Sequence, residues 1–130
     1  MKVKRLLSML LAVILIVSAI PFGAINVTAA VQGDYYYTVN NGEAEITGVV
    51  RNISFQTTQI PSELGGYPVT SIAAGAFADC STINTLVVPQ GIKSIGIRAF
   101  MRCSNMKSII IPEGVTEILD YTFKGCSELV

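Results

Sequence analysis

Phe77, Phe100 and Phe123 stand 23 residues apart, and Cys80, Cys103 and Cys126 keep the same interval. Ile72, Ile95 and Ile118 fall in step with them, as do Val69, Ile92 and Val115. Ser81, Ser104 and Ser127 follow, and Pro89 returns as Pro112. An interval this regular is the mark of a chain built by stacking one small unit on copies of itself. Free energy forces the stacking. Ordering 23 residues costs on the order of 35 kcal/mol at ~1.5 per residue. The half-dozen inward apolar side chains of one unit each return roughly 1.5–3 kcal/mol on full burial. A unit alone is therefore unstable, and its stability has to come from its neighbours.

Each unit reads as one coil of a strand-rich α/β solenoid. Leu86-Val87-Val88, matched by Ile109-Ile110-Ile111, is aliphatic throughout and stops at a proline. Proline has no N–H for a ladder, so it suits a strand's end. A second extended stretch from Ile92 to Ile95 is expected after a turn at Gln90-Gly91. Residues around Arg98 to Arg102 read as a helical turn that carries Phe100 inward. Parallel strands lie ~4.8 Å apart, so equivalent positions meet as columns and each side chain packs on copies of itself.

Before the repeats the pattern changes. Asn41-Gly42 is a strong hairpin signal, because a type I′ turn needs φ > 0 at both central residues. Counting outward sets Val39 against Ala44 and Tyr37 against Ile46, with Thr38, Glu45 and Thr47 on the opposite face. One apolar and one polar face suit a hairpin laid over a core. Residues 31–59 are accordingly read as an N-terminal β-hairpin cap, and residues 60–130 as three repeats, the last incomplete. The linking unit from Ile60 to Ile72 is five residues longer than its counterpart from Pro89, with Gly65-Gly66-Tyr67-Pro68 as the inserted turn. At Leu129-Val130 the third copy should begin its strand, so continuation in a longer polypeptide is expected.

The first 30 residues have the anatomy of an export signal. Lys2, Lys4 and Arg5 precede the apolar run from Leu6 to Ile20, and Pro21-Phe22-Gly23 break it. Val27-Thr28-Ala29-Ala30 supply small residues, and cleavage is expected after Ala29 or Ala30. The run is short against the roughly 20 residues of a spanning helix. No membrane insertion is expected after cleavage, and no Cys follows the run to take a lipid. Removing residues 1–30 leaves six of the nine Lys and Arg against all nine Asp and Glu, so the formal charge moves from zero to minus three. A mildly acidic chain with no basic stripe argues against nucleic acid as a partner.

The repeat columns resemble the BspA-type, or treponemal-type, leucine-rich repeat. That pattern runs as a strand ending in Ile-Pro, then Val-Thr-x-Ile-Gly, then Ala-Phe-x-x-Cys-x-x-Leu. Ile111-Pro112, Val115-Thr116-Glu117-Ile118 and Phe123-Lys124-Gly125-Cys126-Ser127-Glu128-Leu129 follow it closely. Ala76-Phe77 and Ala99-Phe100 carry the alanine, Thr122 replaces it, and Leu119 stands where the pattern has glycine. The resemblance covers residues 60–130 and extends, less specifically, into the segment before them. It implies a right-handed leucine-rich-repeat solenoid, and it implies secreted or surface-exposed bacterial proteins that bind or adhere. It brings no shared catalytic machinery.

The residues themselves offer little for catalysis. With no His, the chain lacks the usual Ser-His or Cys-His pair. Glu113, Glu117 and Asp120 read as solvated turn residues. Gly65-Gly66 precedes Tyr-Pro, not a phosphate-binding helix start. The three Cys share one column, with side chains pointing the same way, so they read as free core thiols. Neither a metal site nor a cofactor is expected. Asn52-Ile53-Ser54 matches a glycosylation sequon that is incidental in a bacterial protein.

Surface chemistry is more telling. Alternation turns Leu86, Val88, Ile109 and Ile111 inward, and Val87 and Ile110 outward, flanked by Thr85 and Ser108. Contiguous exposed apolar surface often marks an interaction site. Tyr36, pointing away from Tyr35 and Tyr37, is a second candidate, suited to stacking on sugar or protein. The function expected is an extracellular binding or adhesion module, not an enzyme, that presents a repeat surface to protein or glycan. The alternative is a structural or targeting segment of a larger secreted protein, possibly an enzyme, truncated at residue 130.

Overall fold

The computed structural model describes residues 26–50 and 57–130; residues 1–25 of the signal expected over 1–30, and the sequon Asn52-Ile53-Ser54, lie outside them. The chain opens with β1 (Val27–Gln32), β2 (Tyr35–Asn40) and β3 (Glu43–Val49). Asn41 and Gly42 adopt φ of 51° and 78°, the left-handed pair that a type I′ turn requires. Val39 lies opposite Ala44 and Tyr37 opposite Ile46, as counting from the turn predicts. Tyr35, Tyr37, Val39, Ala44 and Ile46 are buried, while Tyr36 and Asn40 face out.

The link into the repeats forms a second, smaller hairpin. β5 (Glu63–Leu64) pairs antiparallel with β6 (Tyr67–Ile72) around Gly65-Gly66, at φ 62° and 82°. That is the inserted turn. β6 then runs parallel to β3, with Ile46 opposite Ile72, and β8 (Ser94–Ile95) runs parallel to β6, with Ile72 opposite Ile95. The result is a six-stranded sheet that begins antiparallel and becomes parallel where the repeats begin. A second sheet of three parallel strands holds β4 (Thr57–Gln59), β7 (Thr85–Val87) and β9 (Ser108–Ile110). Parallel pairing between copies and a curled sheet give the leucine-rich-repeat-like fold.

Between these strands lie turns, where the structure corrects one expectation. The segment from Arg98 to Arg102 is a series of tight turns, and no α-helix occurs among the described residues. Met101 N–H donates to Arg98 and Cys103 N–H to Phe100, each three residues back. Propagation into a helix stops because Arg98 and Arg102 sit at φ 60° and 59°. In a helix the Phe100 N–H would turn back four residues; here it donates to Thr122 of the next copy at 3.1 Å. Phe77 and Asp79 donate likewise to Ala99 and Met101, both at 2.8 Å. The turns are thus laddered to one another. Gly75 and Tyr121 share the left-handed conformation of Arg98, as Asp79 and Gly125 share that of Arg102.

Inside, the aromatic column is continuous. Ring centroids of Phe77 and Phe100 lie 5.3 Å apart and those of Phe100 and Phe123 5.6 Å apart, the latter pair stacked at 5°. Tyr35 meets Phe77 edge-on at 6.4 Å, so the column runs from β2 into the third copy. Close packing leaves no room for a Cβ on Gly96, which would fall on the backbone nitrogen of Ala74 and 2.7 Å from the carbonyl carbon of Ala73. Among the described residues no helix is long and apolar enough to cross a membrane.

Candidate functional site

Register across the three-stranded sheet builds the candidate surface. Thr58, Leu86 and Ile109 are partners and point inward; Leu86 is fully buried and Ile109 packs against the core. One step along, Gln59, Val87 and Ile110 are partners and point outward. Ile110 is 57% exposed. Val87, between Gln59 and Ile110, is half-buried. Thr85 and Ser108 are partners in the adjoining row, and the Ser108 hydroxyl bonds Thr85 Oγ1 at 3.3 Å. Val87, Ile110, Thr85 and Ser108 therefore form one face, an aliphatic row beside a hydroxyl row.

Gln59 belongs to that face and is absent from the sequence expectation. Its strand precedes the longer link, so a search at the fixed interval misaligns it. Ile60-Pro61, echoing Val88-Pro89, was the signal that could have found it. Tyr36 lies elsewhere. It is in the other sheet, 45% exposed, with its ring carbon Cδ2 3.6 Å from where a Cβ on Gly48 would stand. Its partner on β1 is Val31, also exposed. The structure does not bring Tyr36 together with the other four.

Polar side chains outside this face serve neighbouring copies. Glu43 accepts from Lys93 Nζ at 2.6 Å and from the Thr70 hydroxyl at 3.3 Å. The hydrogen bond and charge of Lys93 hold the Glu43 carboxyl below its usual range. Arg102 grips Asp79 with two nitrogens at 2.6 and 2.9 Å, one period apart. Tyr121 has Arg98 and Lys124 at 5.6 and 5.0 Å from its ring centre.

The thiols have a backbone duty that repeat counting missed. Cys103 Sγ donates to the carbonyl of Phe77 and Cys126 Sγ to that of Phe100, each at 3.1 Å. None of the three cysteines is in a disulfide. Burial, reinforced by the neighbouring thiols of Cys80 and Cys126, pushes Cys103 up to about 12. A thiol so protonated is a poor nucleophile and a poor metal ligand, since both roles need the thiolate. Among the described residues no group of three or more His, Cys, Asp or Glu could hold a metal ion. What the geometry offers is an outward aliphatic strip edged by hydroxyls on a parallel sheet.

Residues 49–130 match the family described as a BspA type leucine rich repeat region of six copies, and no catalytic family is matched. Among solved structures, a leucine-rich repeat protein of T. pallidum is similar at 25% identity and TM-score 0.70, covering 77% of this chain and 47% of its own. A leucine-rich repeat protein from Bacteroides ovatus is similar at 29% identity and TM-score 0.69, covering 77% and 28%. A leucine rich cell surface protein from Faecalibacterium prausnitzii is similar at 26% identity and TM-score 0.63, covering 78% and 29%. The chain thus spans less than half the length of these three structures. No curated protein matches it significantly.

Proposed function

Because the chain belongs to the BspA type leucine-rich repeat family, matched over residues 49–130, we propose that it is a binding module working outside a bacterial cell. In this reading residues 1–30 direct export, and the repeats form a right-handed solenoid whose first turn is covered by the β2–β3 hairpin as a cap. The partner is an extracellular protein or glycan, and no reaction is catalysed.

The observation that carries the reading is the outward row Gln59, Val87 and Ile110, with Ile110 57% exposed beside the Thr85–Ser108 pair. Aliphatic area removed from water contributes about 25 cal/mol per Å². The hydroxyls alongside supply direction, which apolar contact lacks. A rigid sheet also loses little conformational entropy on binding. Its resemblance to the F. prausnitzii cell surface protein supports the location.

The test is a binding titration of purified extracellular-matrix proteins and bacterial-wall glycans against the chain and against Val87→Lys with Ile110→Lys. Both positions face outward, so the double variant keeps its thermal midpoint and loses the ligand. Retained binding by the folded double variant rejects this face as the contact surface.

A further inference from the structure

We infer that export processing cuts the bond between Ala29 and Ala30, so that Ala30 becomes the first residue of the mature chain. The inference rests on the export reading above and sharpens it to one bond. Small residues at the last position before the cut and two places earlier are what a signal peptidase requires. Two bonds qualify: Ala29–Ala30, with Val27 at the outer position, and Ala30–Val31, with Thr28 there. The bond after Ala24 has the bulky Phe22 at that outer position.

The fold separates the two candidates. Ala30, Val31 and Gln32 pair without interruption with Tyr37, Tyr36 and Tyr35. Upstream the register breaks: three steps back along β1 to Val27 answer two steps along β2 to Val39. The extra residue is a bulge at Thr28 and Ala29, and a bulge ends regular pairing. Ala30 is half-buried and packs on the core, whereas Ala29 is exposed. Two residues on, the Gln32 side chain accepts from the Gly65 N–H at 2.5 Å and ties the strand to the β5–β6 turn.

Cutting after Ala30 would strip the residue opposite Tyr37 and uncover core. Cutting after Ala29 removes only the irregular part. The Ala29–Ala30 bond also lies at the end of the regular ladder. The Ala30–Val31 bond lies within it. In the reaction the Ala29 carbonyl carbon takes the oxygen of water as its bond to the Ala30 nitrogen breaks. The leader departs with a carboxylate on Ala29, and the released amine of Ala30 takes the proton. The new ammonium stands on the sheet's edge strand, where a charge discourages edge-to-edge pairing.

The experiment is expression of residues 1–130 in a bacterium, recovery of the exported protein, and N-terminal sequencing with intact mass. The expected product begins Ala30-Val31-Gln32. A product beginning at Val31, or upstream of Ala30 but inside the leader, overturns this inference and leaves the export reading standing. A chain that keeps its whole leader overturns both. Ala29→Phe supplies a second readout, because it blocks the residue before the proposed bond and leaves both recognition positions of the next bond unchanged. It abolishes the product beginning at Ala30; continued appearance of that product overturns the assignment.

Discussion

Thr58 stands where the neighbouring strands carry Leu86 and Ile109, and its hydroxyl is buried with no hydrogen-bond partner among the described residues. A buried donor left unmade costs roughly 1–3 kcal/mol. Thr58→Val keeps the shape and removes the orphan, so the urea midpoint should rise by the equivalent of about 1 kcal/mol. An unchanged or lower midpoint would show that the hydroxyl is satisfied. Acid–base chemistry gives a second expectation. Burial raises both Cys103 and Tyr35 to about 12, from ordinary values of 9.0 and 10.0. Each is an acid held more tightly protonated in the folded state than in the unfolded one. Their contribution to stability is therefore whole below pH 9 and is lost as pH rises toward about 12. Denaturant midpoints taken across that range should fall, and Cys103→Ala should flatten the early part of the fall. At pH 8 the folded chain should leave Cys103 unalkylated until denaturant is added.

The elements divide into those a period reveals and those it cannot. Columns at a fixed interval made the β7–β9 pairing and the phenylalanine ladder legible, and Asn41-Gly42 made the β2–β3 register legible. Inward placement of Phe100 was legible too, but not the backbone that achieves it. One inward residue per copy fits a helical turn as well as tight turns broken at Arg98 and Arg102. Only the bonds to the next copy decide between them, and those are non-local. β1 was hidden for a similar reason: Val27-Thr28-Ala29-Ala30 has the small, apolar character of both a leader's end and an edge strand. Tyr36 was correctly turned outward, yet its separation from Val87 and Ile110 depends on two sheets that alternation treats alike. The ladder itself yields a graded expectation. Phe100 is fully buried between two rings, whereas Phe123 is half-buried with one ring neighbour. Phe100→Ala should cost about 3–5 kcal/mol, and Phe123→Ala distinctly less. Equal losses in denaturant melts would mean that the third copy is packed more firmly than its exposure implies.

Among the described residues, burial declines from the first copy to the third, and the hydrogen bonds between copies make the difference measurable. Ile72 and Ile95 are 1% and 2% exposed, but their equivalent Ile118 is 47% exposed. Stability in a repeat stack is approximately a sum of units and nearest-neighbour contacts, so a weakly covered unit opens at lower cost. The turn ladder places donor and acceptor in different copies. When the third copy opens, Phe100 and Arg102 lose their acceptors Thr122 and Lys124, although they belong to the second copy. Phe77 and Asp79 keep theirs, Ala99 and Met101, through that same event. Amide exchange followed by NMR should therefore find Phe100 and Arg102 exchanging faster than Phe77 and Asp79. A difference of ~1.4 kcal/mol in opening free energy would appear as a tenfold gap in rate, once intrinsic rates are divided out. Exposure of the N–H itself cannot produce that gap at Phe100, which is as fully buried as Phe77. Matching protection at all four would mean that the repeats open as one block and that coupling between copies exceeds the difference in their burial.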